Sequence, residues 1–186
     1  YWDADGNGVI SYDAKDMVEI GNPHPKFTWA LTRAGEYRNF DINIMFTGAQ
    51  VYDLVRNIEA TIGNMDGVFN VAADAKNRWR SAEHPGNGIW PTTNTWKWER
   101  EISSRYIYDA SHAWVKNISL GYTVPKKGTS LLKGARFFLN AENVFLITNY
   151  PGFNPDIDLK GGINPGQDNE AYPIPLIFSM GTTITF

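Results

Sequence analysis

The 186-residue chain contains no cysteine, which excludes a disulfide framework and any thiolate metal centre. It also lacks an apolar run near the ~18 residues a membrane-crossing helix needs, so it does not read as a helical membrane protein. Positive charge is not in excess. Seventeen Lys and Arg stand against twenty Asp and Glu, for a net charge of -3, and the basic residues are scattered, so the footprint of nucleic-acid binding is missing. No initiator Met or signal peptide opens the chain, which starts on Tyr1-Trp2-Asp3 and reads as the interior of a longer polypeptide. The three histidines, His24, His84 and His112, lie far apart, without metal or nucleophile spacing, and read as solvated loop or strand-end residues. No spacing of acidic residues calls for a pair of glycosidase carboxylates. An enzyme is therefore not expected.

What the chain does have is aromatic residues, 14% of the total with seven Trp, and apolar residues recurring with period two, the mark of strands. Phe40, Ile42, Ile44 and Phe46 alternate with Asp41, Asn43 and Thr47; before them Phe27, Trp29 and Leu31 alternate with Thr28 and Thr32. The link from Arg33 to Asn39, with Gly35, suits a tight hairpin. Further on, Trp114, Ile118, Leu120 and Tyr122 are expected on one face and Asn117, Ser119, Gly121 and Thr123 on the other, with Pro125 ending the strand. After a short basic turn, Ala135, Phe137, Leu139, Ala141, Phe145 and Ile147 alternate with Arg136, Asn140 and Glu142. In the last stretch Phe178, Met180, Thr182, Ile184 and Phe186 share a face. The reading is all-β, with strands at about 26–35, 37–48, 105–124, 134–148 and 175–186.

The connections alternate between short and long. Long loops at 49–104 and 149–174 leave from one end of the strands, and short turns close the other. Long loops confined to one side are the pattern of an outer-membrane barrel; a soluble antiparallel sandwich remains open on periodicity alone. Arg136 and Glu142 on an inward face suit a wet lumen better than a sandwich core, and Trp29, Tyr106, Trp114 and Tyr122 near strand ends suit interfacial girdles.

Three stretches, "DASHAWVKNISLGYTVP" (109–125), "ARFFLNAENVFLITNYPGFNPD" (135–156) and "YPIPLIFSMGTTITF" (172–186), resemble in wording, order and spacing the carboxyl-terminal end of the SusC/RagA-like TonB-dependent outer-membrane transporters. "DADGNGVI", "IGNPHPKFTWAL" and "NFDINIMFTGA" resemble the loop and strands that precede it; "NRW" (77–79) is the one familiar piece between Val51 and Glu101. The resemblance implies the carboxyl-terminal strands of a large antiparallel transmembrane β-barrel of about 22 strands, located in the bacterial outer membrane and in contact with its lipid. It also implies an internal plug and a TonB-contacting segment elsewhere in the protein. A SusD-like surface lipoprotein would lid the barrel, and glycans, oligosaccharides or peptides would be imported through coupling to the TonB complex. Phe186, on the final strand, would be the signal read by the barrel assembly machinery. The alternative from a different class is a soluble, calcium-stabilised β-sandwich that binds carbohydrate through its tryptophans.

Residues 1–25 read as an extracellular loop with a candidate calcium site, and 26–186 as strands and loops of the barrel. "DADGNGVISYDA" opens as a calcium loop does: Asp3, Asp5 and Asn7 take the first three ligand positions, Gly8 the sharp turn and Val9 the carbonyl position. Ala14 stands where a bidentate Glu would close the site, so closure falls to Asp13 or Asp16. Trp79, Trp90, Trp96 and Trp98 in the long loop are candidates for stacking on sugar rings or docking the lipoprotein. A short helix is expected near Val71–Trp79 from its Ala content.

Overall fold

The computed structural model describes residues 2–11, 14–63, 65, 69–93, 102–125, 133–157 and 165–186. In chain order the elements are β1 (Phe27–Tyr37), β2 (Phe40–Gln50), β3 (Asp53–Arg56), α1 (Asn57–Ile62), β4 (Ile107–Asp109), β5 (His112–Val124), β6 (Gly134–Thr148), β7 (Gln167–Asp168) and β8 (Ile177–Thr185), with 3-10 turns at Ala73–Asn77 and Ser104–Tyr106. They fall into two units. One is built from Pro25–Tyr52, Asp109–Asp156 and Tyr172–Phe186, the other from Tyr1–His24, Asp53–Tyr108 and Ile157–Ala171.

The first unit is a single five-stranded sheet in the order β1-β2-β5-β6-β8, antiparallel throughout. Its register stacks like residues into rows. Ile42, Leu120, Leu139 and Met180 form one row, and Ile44, Ile118, Ala141 and Phe178 the next. On the opposite face Asn43, Ser119, Asn140 and Ser179 lie in line. The apolar face is uncovered: Phe178 is 76% and Met180 84% exposed, and Leu31, Phe40, Phe137, Phe145 and Ile147 are exposed with them. Burying one such side chain is worth roughly 1.5–3 kcal/mol, and a sandwich would cover this face with a second sheet. Strands of 9 to 15 residues meet the roughly 9–11 needed to cross a bilayer at a tilt. This is an outward wall for hydrocarbon with a polar inner side.

Several elements differ from the sequence reading. The first hairpin is tighter than the link Arg33–Asn39, because β1 runs through Gly35 to Tyr37 and turns at Arg38, whose φ is 56°. The expected strand 105–124 is broken: a 3-10 turn holds Ser104–Tyr106, β4 is short, and β5 begins at His112. Trp114 does not share a face with Ile118, Leu120 and Tyr122. It pairs with Thr47 and Leu146, while Val115 pairs with Phe46 and Phe145 on the outer face. A bulge between Val115 and Asn117 inserts Lys116 and turns the upper half of β5 over by one residue, as a two-against-one bulge must. Trp114 therefore points inward and is buried, and Tyr106 is buried in the other unit, so neither joins a girdle. Trp29 and Tyr122 do lie on the outer face; the Trp29 ring crosses Gly48, where a Cβ would clash with it.

The second unit carries a small sheet in the order β4-β3-β7, with β3 and β7 parallel. Leu54, Ala75, Trp90 and Tyr106 are buried in it. The helix expected at Val71–Trp79 is the 3-10 turn Ala73–Asn77. The α-helix of this unit, α1, lies within the stretch 49–104 read as loop.

Candidate functional site

The amino-terminal loop of the second unit folds around its own acids. Asp3 Oδ1 accepts the backbone N–H groups of Gly6 (2.8 Å) and Asn7 (3.2 Å), and Oδ2 that of Gly8 (2.7 Å). Asp5 accepts from Asn7 N at 3.1 Å, and Asn7 Oδ1 from Val9 N at 2.8 Å. Gly6 and Gly8, at φ +71° and +80°, take the left-handed conformations this winding needs. Asp16 closes the loop from the other side, accepting from Ala4 N (3.0 Å), Ser11 N (2.7 Å) and Ser11 Oγ (2.8 Å). These Ser11 bonds hold its carboxyl below its ordinary value. Carboxylate oxygens of Asp3, Asp5 and Asp16 lie within 4.8 Å of one another, an all-oxygen set suited to a hard cation. Asp13 lies outside the described residues.

Of the loop tryptophans, Trp96 and Trp98 lie outside the described residues. Trp79 is half-exposed. Trp90 is buried, its Nε1–H donates to Asp74 Oδ2 at 3.0 Å, and its ring lies against Gly63. Nearby, Tyr108 Oη donates to Glu59 Oε2 at 2.6 Å; burial and this bond to a carboxylate push the phenol up to about 12.

At the long-loop end of the sheet, residues given no part by the sequence reading form a buried cluster. Tyr52 donates its hydroxyl proton to the Pro155 carbonyl at 2.8 Å. The same oxygen lies 3.0 Å from His112 Nδ1, which is 3.2 Å from the Ala110 carbonyl. With the one phenol proton committed, His112 Nδ1–H is the donor to both oxygens. Burial, followed by Asp156 and Asp109, pushes the Tyr52 phenol far up, so it stays neutral. His112, expected in solvent, is 4% exposed; His24 and His84 are exposed. Lys116, the bulge residue, lays its ammonium 3.6 Å over the Trp114 ring, 3.9 Å from Asp156. Together these contacts fasten the segment that holds Tyr150 and Pro155 to the sheet. No sequence signal marked them, because the partners are up to 103 residues apart.

Lower on the inner face, Arg136 grips Asp41 with two bonds, Nε to Oδ1 at 3.2 Å and Nη2 to Oδ2 at 2.5 Å. The pair passes directly over Gly121 of β5, where any Cβ would collide with both partners. Beside it, Asn117 donates to Asn140 (2.8 Å) and Asn140 to Glu142 (3.0 Å). These paired polar groups make a hydrated wall. Phe186 follows β8, largely exposed.

No protein-family model matches the chain. Among curated proteins it is similar to TonB-dependent receptor P3 of Formosa agariphila, 32% identical over 99% of this chain and 18% of that protein. It is 28% identical to TonB-dependent receptor SusC of Bacteroides thetaiotaomicron, over 99% of this chain and 17% of SusC. The chain thus spans about a fifth of the length of the curated relatives it matches. Among solved structures, that of the RagAB peptide transporter superposes with a TM-score of 0.80 at 21% identity, covering all of this chain and 20% of the other.

Proposed function

The chain is SusC-like, related along its length to the TonB-dependent receptors of the outer membrane, and from that premise we propose that it forms wall strands and extracellular loops of a nutrient importer. The observation that carries the reading is the match of nearly the whole chain to a receptor of this kind, on a sheet whose outer face is apolar and uncovered. β1, β2, β5, β6 and β8 are scaffold. Residues 49–104 and 149–174 leave its long-loop end and face outside the cell, and the turns at Arg38 and after Pro125 face the periplasm. Cargo is an oligosaccharide or a peptide, the latter because the structural relative is a peptide transporter. Import is driven through the TonB complex acting on parts of the protein beyond this stretch. A SusD-like lipoprotein pairs with the importer, and Trp79 is a candidate contact for it or for cargo. Phe186 is read by the assembly machinery.

The acidic loop fits a Ca2+ ion. Asp3, Asp5 and Asp16 would supply carboxylate oxygens, with Asn7 and the Val9 carbonyl beside them. The ion would supply charge neutralisation that keeps the loop wound; it has no part in transport chemistry.

The test is fractionation of native cells with an antibody against residues 160–170, applied to sealed cells and to detergent-extracted envelope. Signal in the outer-membrane fraction of sealed cells, at a mass well above 21.0 kDa, is expected. A soluble band near that mass overturns the reading.

A further inference from the structure

One cavity of the second unit is unused by wall or metal loop. It measures about 340 Å³ and lies between α1, the two 3-10 turns and β4, with Arg56, Glu59, Asp74, Trp90, Arg105 and Tyr108 among its lining residues. That is the lower end of the roughly 300–1,000 Å³ of small-molecule sites. Two guanidinium and two carboxylate groups balance there, so the walls favour neither an anion nor a cation. The polar groups are held in place before any ligand arrives. Arg56 Nη1 meets Glu59 Oε1 at 2.5 Å, Tyr108 fixes the second oxygen of Glu59, and Trp90 fixes one oxygen of Asp74. Arg56 keeps further N–H donors and Asp74 a second acceptor oxygen, while the Arg105 guanidinium rests 5.3 Å from the Trp90 ring centre. Ile62 and Ile89 supply the apolar flank.

We infer that this cavity is a recognition pocket for an uncharged saccharide of one or two rings. Such a molecule donates and accepts hydrogen bonds at every hydroxyl, matching walls that carry both kinds of partner, and its C–H faces suit aromatic and Ile edges. The inference deepens the importer reading, on which access from outside the cell rests, by naming a class of cargo that these loops sample before transport.

The experiment uses the full-length receptor in detergent, titrated with lactose and cellobiose and, as controls, with glucuronate and trialanine, by calorimetry. Ile89 is 55% exposed, so Ile89→Trp leaves folding intact while its larger ring closes the mouth. Asp74→Asn keeps the shape and removes the acceptor charge. The expected result is binding of the neutral disaccharides, weakened about tenfold in each variant at unchanged melting temperature. Equal affinity in Ile89→Trp, or preference for glucuronate or trialanine, overturns the pocket. Cargo uptake by cells is followed in parallel: uptake that persists without disaccharide binding removes the pocket and leaves the importer, whereas a receptor absent from the outer membrane removes the importer.

Discussion

Gly121 shows how one missing Cβ decides a whole polar contact. Asp41 and Arg136 sit on strands either side of β5, and their two-pronged bond exists because the strand between them presents only hydrogen. Gly121→Val should push the pair apart, leaving two charges on the inner face without each other, and lower stability by about 1–3 kcal/mol. Melting in detergent checks this, and Asp41→Asn in the same background should then add little, since the contact is already lost. Tyr52 is the other pivotal residue. Tyr52→Phe strips the proton from the Pro155 carbonyl and the acceptor from His112 Nδ1–H, two buried groups left unmatched. A loss of about 1–3 kcal/mol is expected, read as faster proteolysis near residues 149–157. Tyr108 sets a pH dependence for the loop unit. Its pKa of about 12 lies above the ordinary 10.0, so the stability it contributes is fully present below pH 10 and is lost as pH rises through 12. Protease sensitivity of the loop unit should climb across that window, and less so in Tyr108→Phe.

At the scale of elements, the two faces of the sheet make opposite predictions for neighbouring residues. Leu120 faces outward and Ser119 inward. Leu120→Arg should cost about 2–4 kcal/mol near the bilayer midplane, and Ser119→Arg far less; heat stability of the folded form in detergent separates them, and equal behaviour would contradict the facing. Strands of this kind were legible in the sequence because one face must be apolar and the other polar, which writes period two into Phe40–Phe46 and Ala135–Ile147. The bulge was not. Trp114 and Ile118 are four residues apart, so plain alternation puts them on one face, and an inserted Lys116 leaves no mark in hydropathy. α1 was missed for a related reason: six residues are too few to show a helical period, and packing of Gly63 and Tyr108 on it supplies what propensity does not. The acidic loop was half legible, since Asp3, Asp5, Asn7 and Gly8 are spaced by local turn geometry, whereas closure by Asp16 depends on how the chain folds back.

The five-stranded sheet ends in unpaired backbone along β1 and β8, and its apolar face is open. Neither feature is tolerable for a chain alone in water, and five strands fall short of the roughly eight in the smallest barrels. The isolated 186-residue chain should therefore aggregate on dilution from denaturant and give no heat-resistant folded band in detergent, whereas the full receptor gives one. A soluble monomer with the native strand content would contradict the barrel wall outright. Calcium separates the two units in the same assay. If Asp3, Asp5 and Asp16 hold an ion, a chelator should expose residues 3–16 to protease while the folded band of the full receptor keeps its melting temperature, because the wall is held by strand pairing and lipid and the loop by charge neutralisation. Unchanged cleavage in that loop would leave the carboxylates as a hydrogen-bonded turn. A fall in melting temperature along with the new cleavage would mean instead that the metal loop and the wall are energetically one structure.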